Sequence, residues 1–243
     1  MNPFLRLMAD NRNAPRRFEI VAKDDAAEVF VYDAIVDGEL EAEWMGGIAP
    51  QSFIKAIREI KADTINLRIN SPGGSVFAAR AMEQALRDHP AKVIAHIDGY
   101  AASAATFLAM GADEVRMAKG SFFMIHKAWT MSMGNATDLR STADLLEKID
   151  GSLVQTYADR SKQDPEKIEQ WMADETWFTA EEAVEAGFAD KVTDGAVKAH
   201  WNLAAYAKAP QIPAEPEPQA EPEPQKPDLS ALLRKLDCAV LAA

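Results

Sequence analysis

The chain has 243 residues, 48% of them hydrophobic, which is enough for one large domain, or a domain plus a tail, with a real core. Its formal charge of −12 argues against a nucleic-acid surface as its main business. No run approaches the roughly 18 to 20 apolar residues of a membrane span, and Met1-Asn-Pro-Phe-Leu-Arg-Leu-Met8 is too quickly polar for a secretory signal, so a cytoplasmic protein without a membrane partner is expected.

Residues 1–26 mix Arg, Asn and Pro with little periodicity and read as an N-terminal arm. Alternation in Glu28-Val-Phe-Val-Tyr-Asp-Ala-Ile35 predicts a strand, and Phe53, Ile54, Ile57 and Ile60 fall at helical spacing. Thr64-Ile-Asn-Leu-Arg-Ile69 alternates again, followed by the turn Asn70-Ser-Pro-Gly-Gly-Ser75 and a helix over 76–87. The order repeats through a strand at 93–97, a Gly-rich turn at 99–103 and a helix at 104–110, with further strands at 114–117 and 122–125. Such units predict an α/β fold with largely parallel strands. A long amphipathic helix is expected over 137–161, with Leu139, Ala143, Leu146, Ile149, Leu153 and Tyr157 on one face. Asp164-Pro165 opens another helix, Thr179-Ala-Glu-Glu182 matches a capping box, Gly187 stops the helix it starts, and Phe188-Ala-Asp-Lys-Val192 closes the domain as a last strand or turn, the composition changing after about residue 207. Residues 208–227, rich in Pro and Glu, predict an extended, disordered linker, and over 228–243 Leu229, Leu232, Leu233 and Leu236 give a short amphipathic tail. That tail reads equally as a frayed end or as a docking segment.

Ser103, in Gly99-Tyr-Ala-Ala-Ser-Ala-Ala-Thr106, falls at a strand-to-helix turn whose small neighbours leave its hydroxyl open to a substrate carbonyl. A small-residue helix packed on a sheet would carry the same letters. The Pro72-Gly73-Gly74 turn at another strand end supplies backbone N–H groups for an oxyanion, or else is an ordinary turn or phosphate nest. No GxGxxG or GxxxxGK[ST] is present, so nucleotide binding loses support. A serine hydroxyl needs a base, and His126 at the end of an apolar strand is the candidate, with His96, inside a central strand, as its rival. Asp174 and Glu175, just before Thr176-Trp-Phe-Thr-Ala180, are both available to orient the imidazole. The single Cys238 excludes an internal disulfide and a cysteine zinc site, and the four histidines show no paired metal spacing, so neither metal nor cofactor is expected.

The sequences Asn70-Ser-Pro-Gly-Gly74, Gly99-Tyr-Ala-Ala-Ser-Ala104, Met124-Ile-His126, Phe178-Thr-Ala-Glu-Glu-Ala-Val184 and Gly187-Phe-Ala-Asp190 occur in the order and approximate spacing of the proteolytic subunit of the Clp protease. Over about residues 27 to 195 the chain resembles that family, and Glu175-Thr-Trp-Phe-Thr-Ala180 with Phe30-Val-Tyr-Asp-Ala34 resembles its phage and prophage branch of head maturation proteases. The resemblance implies stacked βαβ repeats of the crotonase type over 27–207, with the long helix as the handle by which rings meet. It implies Ser103 as nucleophile, His126 as base, and the N–H groups of Gly74 and Ala104 as the oxyanion hole. Read back without gaps from Phe178-Thr-Ala180, the acid falls on Glu175, with Asp174 as second choice. The implied protein is a ring-forming homo-oligomer, with no nucleic-acid partner, that cleaves scaffold or capsid precursors in the host cytoplasm or prohead; no sequence feature establishes an ATPase partner. Rival expectations are a Ser-Lys dyad protease similar to signal peptide peptidase, an acyl-CoA enzyme of the crotonase type, and a catalytically silent ring used as an assembly scaffold.

Overall fold

The computed structural model describes residues 3–23, 25–195 and 201–210. Of the expected linker (208–227) and tail (228–243), residues 211–243 lie outside the described residues, as does His200.

Helix α1 (Pro3–Asp10) leads into strand β1 (Arg17–Lys23), which pairs antiparallel with β2 (Ala26–Tyr32). The stretch expected as an arm therefore contributes an edge strand, held where Phe18 tilts against Phe53 at 5.9 Å. After α2 (Glu39–Met45) and α3 (Pro50–Glu59), β3 (Thr64–Ser71) lies parallel to β2. Helix α4 (Val76–Arg87) then returns the chain to β4 (Lys92–Ala102), again parallel, and α5 (Ala105–Met110) returns it to β5 (Glu114–Ala118). These three successive βαβ crossovers are the predicted α/β repeat. Alternation explains the burial: Ile65, Leu67 and Ile69 of β3 are fully covered beneath the helices, while Asn66 and Arg68 face the other way.

The sheet forks along β4. Residues 94–97 of β4 pair with β5, whereas Tyr100 to Ala102 pair in parallel with β6 (Phe122–Ile125). The long helix α6 (Ala136–Ser161) begins with a capping box between Asn135 and Asp138. It is buried only in its second half, at Leu153, Tyr157 and Ser161; the expected apolar face continues outward with Leu139 exposed and Leu146 and Ile149 half-buried. Helix α7 (Pro165–Ala173) carries the predicted Asp164 cap, β7 (Thr176–Thr179) pairs antiparallel with β6, and α8 (Ala180–Glu185) has the predicted Thr179–Glu182 capping box. Strand β8 (Lys191–Thr193) finishes the sheet beside β5. Among the described residues no helix is long and apolar enough to cross a membrane.

Candidate functional site

The fork in the sheet brings the predicted residues together. Ala102 is opposite Met124 in the β4–β6 pairing, so the residue that leaves β4 and the residue that leaves β6 emerge side by side. Ser103 turns sharply there with φ of 53°, a left-handed conformation that costs an L-residue on the order of 1 kcal/mol, and its N–H bonds the Met124 carbonyl at 2.9 Å. The Thr106 hydroxyl closes the turn by donating to the Ser103 carbonyl at 2.6 Å. The result is an Oγ of Ser103 at 2.7 Å from Nε2 of His126. Burial pushes the His126 imidazole below its ordinary value, opposed by the negative charge of Glu175, so the ring is held neutral and able to accept a proton.

The Gly73-Gly74 turn packs directly on this corner. A Cβ at Gly73 would collide with the Ala102 carbonyl, and one at Gly74 with the Ile35 carbonyl, at φ values of 87° and 144°. Only glycine fits, because Ile35 clamps the turn from both sides: its N–H donates to Gly73 O at 2.8 Å and its carbonyl accepts from Ser75 N at 2.9 Å. Those bonds use the flanking residues and leave the N–H of Gly74 without a backbone acceptor among the described residues, and the same holds for the N–H of Ala104.

The two acid candidates separate by register. Ile125 pairs with Thr176 in the antiparallel β6–β7 ladder, which sets the next pair outward, His126 and Glu175, across from each other. Asp174 is the exposed C-cap of α7 and accepts from Gln170 Nε2 at 2.8 Å. Glu175 nevertheless makes no hydrogen bond to His126 among the described residues. Its carboxylate accepts from Trp177 Nε1 at 3.3 Å and from the backbone N–H groups of Ala207 at 3.2 Å and Lys208 at 2.6 Å.

A cavity of about 610 Å³ opens onto Ser103 and His126, walled by Gly74, Val76, Leu145 and Ile149. No cluster of His, Cys, Asp and Glu able to hold a metal occurs among the described residues. Among the described residues no lysine takes the place of the histidine: Lys127 reaches Glu169 at 3.7 Å, and Lys208 reaches the Asp174 carbonyl. His96, the rival base, is away from Ser103 and bonds Asn66 Oδ1 at 3.1 Å. Sequence reasoning misses Trp177 and Tyr206, which pack on the site; Tyr206 belongs to no motif, and its place depends on a fold-back that local patterns do not encode.

The family model for Clp protease matches residues 35–196. The chain is 36% identical over 130 residues to an ATP-dependent Clp protease proteolytic subunit of Bacteroides thetaiotaomicron, covering 53% of this chain and 59% of that protein. It is 33% identical over 147 residues to proteolytic subunit 3 of Streptomyces coelicolor, covering 60% and 67%. With proteolytic subunit 3 of Rhodococcus jostii it shares 29% over 180 residues, covering 73% and 87%.

Proposed function

From the premise that this chain belongs to the Clp protease family of serine-type peptidases, we propose that it cleaves protein chains by acyl transfer to Ser103. The observation that carries the reading is the 2.7 Å hydrogen bond between Ser103 Oγ and His126 Nε2 at the mouth of an apolar cavity. Ser103 Oγ attacks the scissile carbonyl carbon while His126 Nε2 takes the hydroxyl proton. The carbonyl π pair moves onto oxygen, and the N–H groups of Gly74 and Ala104 receive the oxyanion. Collapse expels the amine, which leaves with the proton from His126; water then attacks the acyl-enzyme with His126 as base, releasing the new carboxyl end and Ser103. Glu175 serves as the orienting carboxylate in this reading, which its position across the β6–β7 pair from His126 supports.

The finer reading is a head maturation protease that forms rings and acts on scaffold or capsid precursors in the host cytoplasm or prohead, without a cofactor. Its support is the branch-like wording at 30–34 and 175–180, together with the acidic Pro/Glu-rich segment and Leu-rich end beyond 208. Ring formation is supported by the apolar surface around the free half of α6, where Trp129, Met131, Met133, Leu139 and Leu145 are all exposed.

A fluorophosphonate probe tests the chemistry: labelling at Ser103 that disappears in Ser103→Ala and in His126→Ala is expected. Retained activity in His126→Ala would require another base, and no labelling of the assembled wild-type protein would favour a silent ring. Co-expression with a capsid or scaffold precursor tests the substrate: fragments absent from the Ser103→Ala culture are expected, and an uncut precursor would count against this branch.

A further inference from the structure

The segment from 201 to 208 folds back over the cleft, and its contacts fall on the groups that catalysis would need. Its root is fixed. Trp201 and Leu203 are buried, Asn11 Nδ2 donates to the Asn202 carbonyl at 2.8 Å, Asn202 N–H donates to Asn11 Oδ1 at 2.5 Å, and the Arg16 guanidinium lies 5.1 Å from the centre of the Trp201 ring. A turn with Tyr206 N–H on the Leu203 carbonyl, 2.9 Å, then aims the tyrosine inward.

Tyr206 meets the site on three sides. Its ring stands edge-on to His126 at 5.7 Å and to Trp177 at 5.8 Å, and its hydroxyl donates to the Pro72 carbonyl at 2.5 Å, directly before the Gly73-Gly74 turn. Burial pushes the Tyr206 phenol up, and the Ser103 side chain works against that shift. The two residues that follow take the acid: the N–H groups of Ala207 and Lys208 both donate to the Glu175 carboxylate, and Lys208 Nζ reaches the Asp174 carbonyl. What faces Ser103 is a phenol, which offers no carbonyl carbon to attack, so the segment is not seated as a peptide substrate.

We infer that residues 201–208 are an intramolecular plug, in which Tyr206 fills the approach to Ser103 and the 207 and 208 amides hold Glu175 away from His126. The inference rests on the peptidase reading above and adds its regulation. A carboxylate that accepts two backbone N–H groups and an indole N–H has little reason to turn to a neutral imidazole. Withdrawal of the segment frees Glu175 for Nδ1 of His126 and opens the cavity in one movement, so blockage and misalignment are relieved together. The anchor at Trp201 lets the part beyond Leu203 peel away without unfolding the domain.

Two full-length variants test this. Tyr206→Ala removes the stopper, and Ala207→Pro removes one of the amide donors; each is expected to speed fluorophosphonate labelling of Ser103 by about tenfold or more, the gain when a cleft open about a tenth of the time becomes open most of the time. Where the wild-type chain labels, unchanged or slower labelling in both variants overturns the plug. A second measurement needs no activity. In the Ser103→Ala chain, hydrogen exchange within 201–210 should be slow and should accelerate when Glu175→Ala is added; exchange at the rate of an unstructured chain in both overturns the plug as well. Slow exchange in a protein whose Ser103 never labels, in any variant, would instead sink the peptidase reading and leave the plug standing.

Discussion

His96 lies within β4 and His126 just beyond β6, and burial pushes both imidazoles below their ordinary value, His96 to about 4. Around His96 the polar groups close on one another. Its Nε2 meets Asn66, Arg68 forks onto Asp98 at 2.8 and 2.5 Å, and the Tyr32 hydroxyl donates to the same carboxylate at 2.5 Å. Arg68 and Arg116 add to the depression of His96, against Asp98 and Glu114. Around His126 the polar groups do not close on one another: a hydroxyl lies on Nε2, the carboxylate across the strand pair is bonded elsewhere, and the cavity in front is lined by Tyr206. A depressed histidine is therefore no mark of a catalyst by itself. What separates the two is a nucleophile in hydrogen-bond reach and uncommitted donors beside it.

Substitution sharpens this contrast most strongly at the pair itself. Ser103→Ala or His126→Ala is expected to lower kcat for a peptide substrate by about 10⁴-fold or more, while His96→Asn stays within about threefold. Steady-state kinetics on purified, assembled protein decide it, and a comparable loss in His96→Asn would break the distinction. Next in size is Glu175→Gln, measured in the Tyr206→Ala background where the carboxylate is free: a drop in kcat of about 10³-fold is expected, against about twofold for Asp174→Asn. The negative charge of Glu175 raises the His126 value, so its removal lets His126 stay neutral to lower pH. The acid limb of the kcat/KM profile should accordingly move to lower pH in Glu175→Gln, and a shift to higher pH would contradict the charge interaction.

Gly74→Ala should cost about 10²-fold in kcat, because the new Cβ forces the turn away from Ile35 and carries an oxyanion donor with it. Ala at a solvent-facing glycine such as Gly151, which has open space around its Cβ position, provides the control. The smallest effect lies on the His96 side. Folded, His96 remains neutral down to about pH 4, whereas unfolded it protonates near 6.5, so the unfolded chain binds the extra proton between those values. Stability should fall as pH drops through that window, by on the order of 2 kcal/mol after allowance for solvent around a half-buried ring. Denaturant melts at pH 7 and pH 5 should show a smaller difference for His96→Asn than for the wild type; an equal difference would assign the acid sensitivity elsewhere.

Much of this is legible in the order of residues alone. Period-two alternation marks β2 and β3, helical spacing marks α3, and Asp164 and Thr179 announce the starts of α7 and α8. The corner at Ser103 is legible because a Gly and several Ala residues at a strand end leave few other ways to turn. What sets the positions of Glu175 and Asp174 apart is the β6–β7 register, a pairing between strands of four residues each, too short for alternation to reveal. Helix α2 escapes notice because it buries nothing: Leu40 and Trp44 are 83% and 92% exposed, so no apolar stripe faces a core. Strand β1 is masked by the charged residues around Phe18 and Ile20. The fold-back at 201–208 is invisible to local patterns, since its root joins residues 191 apart in the chain.

The bond between Asn11 and Asn202 has a kinetic meaning beyond its contribution to folding. It leaves Tyr206 on a leash of a few residues, so Ser103 experiences a competitor at an effective concentration in the millimolar range, on the order expected for short tethers. Dilution cannot lower that concentration. A substrate must displace a fixed internal rival, which raises its apparent KM by the same factor in a single copy as in a crowded assembly, whereas any inhibition that depends on contacts between copies fades as the protein is diluted.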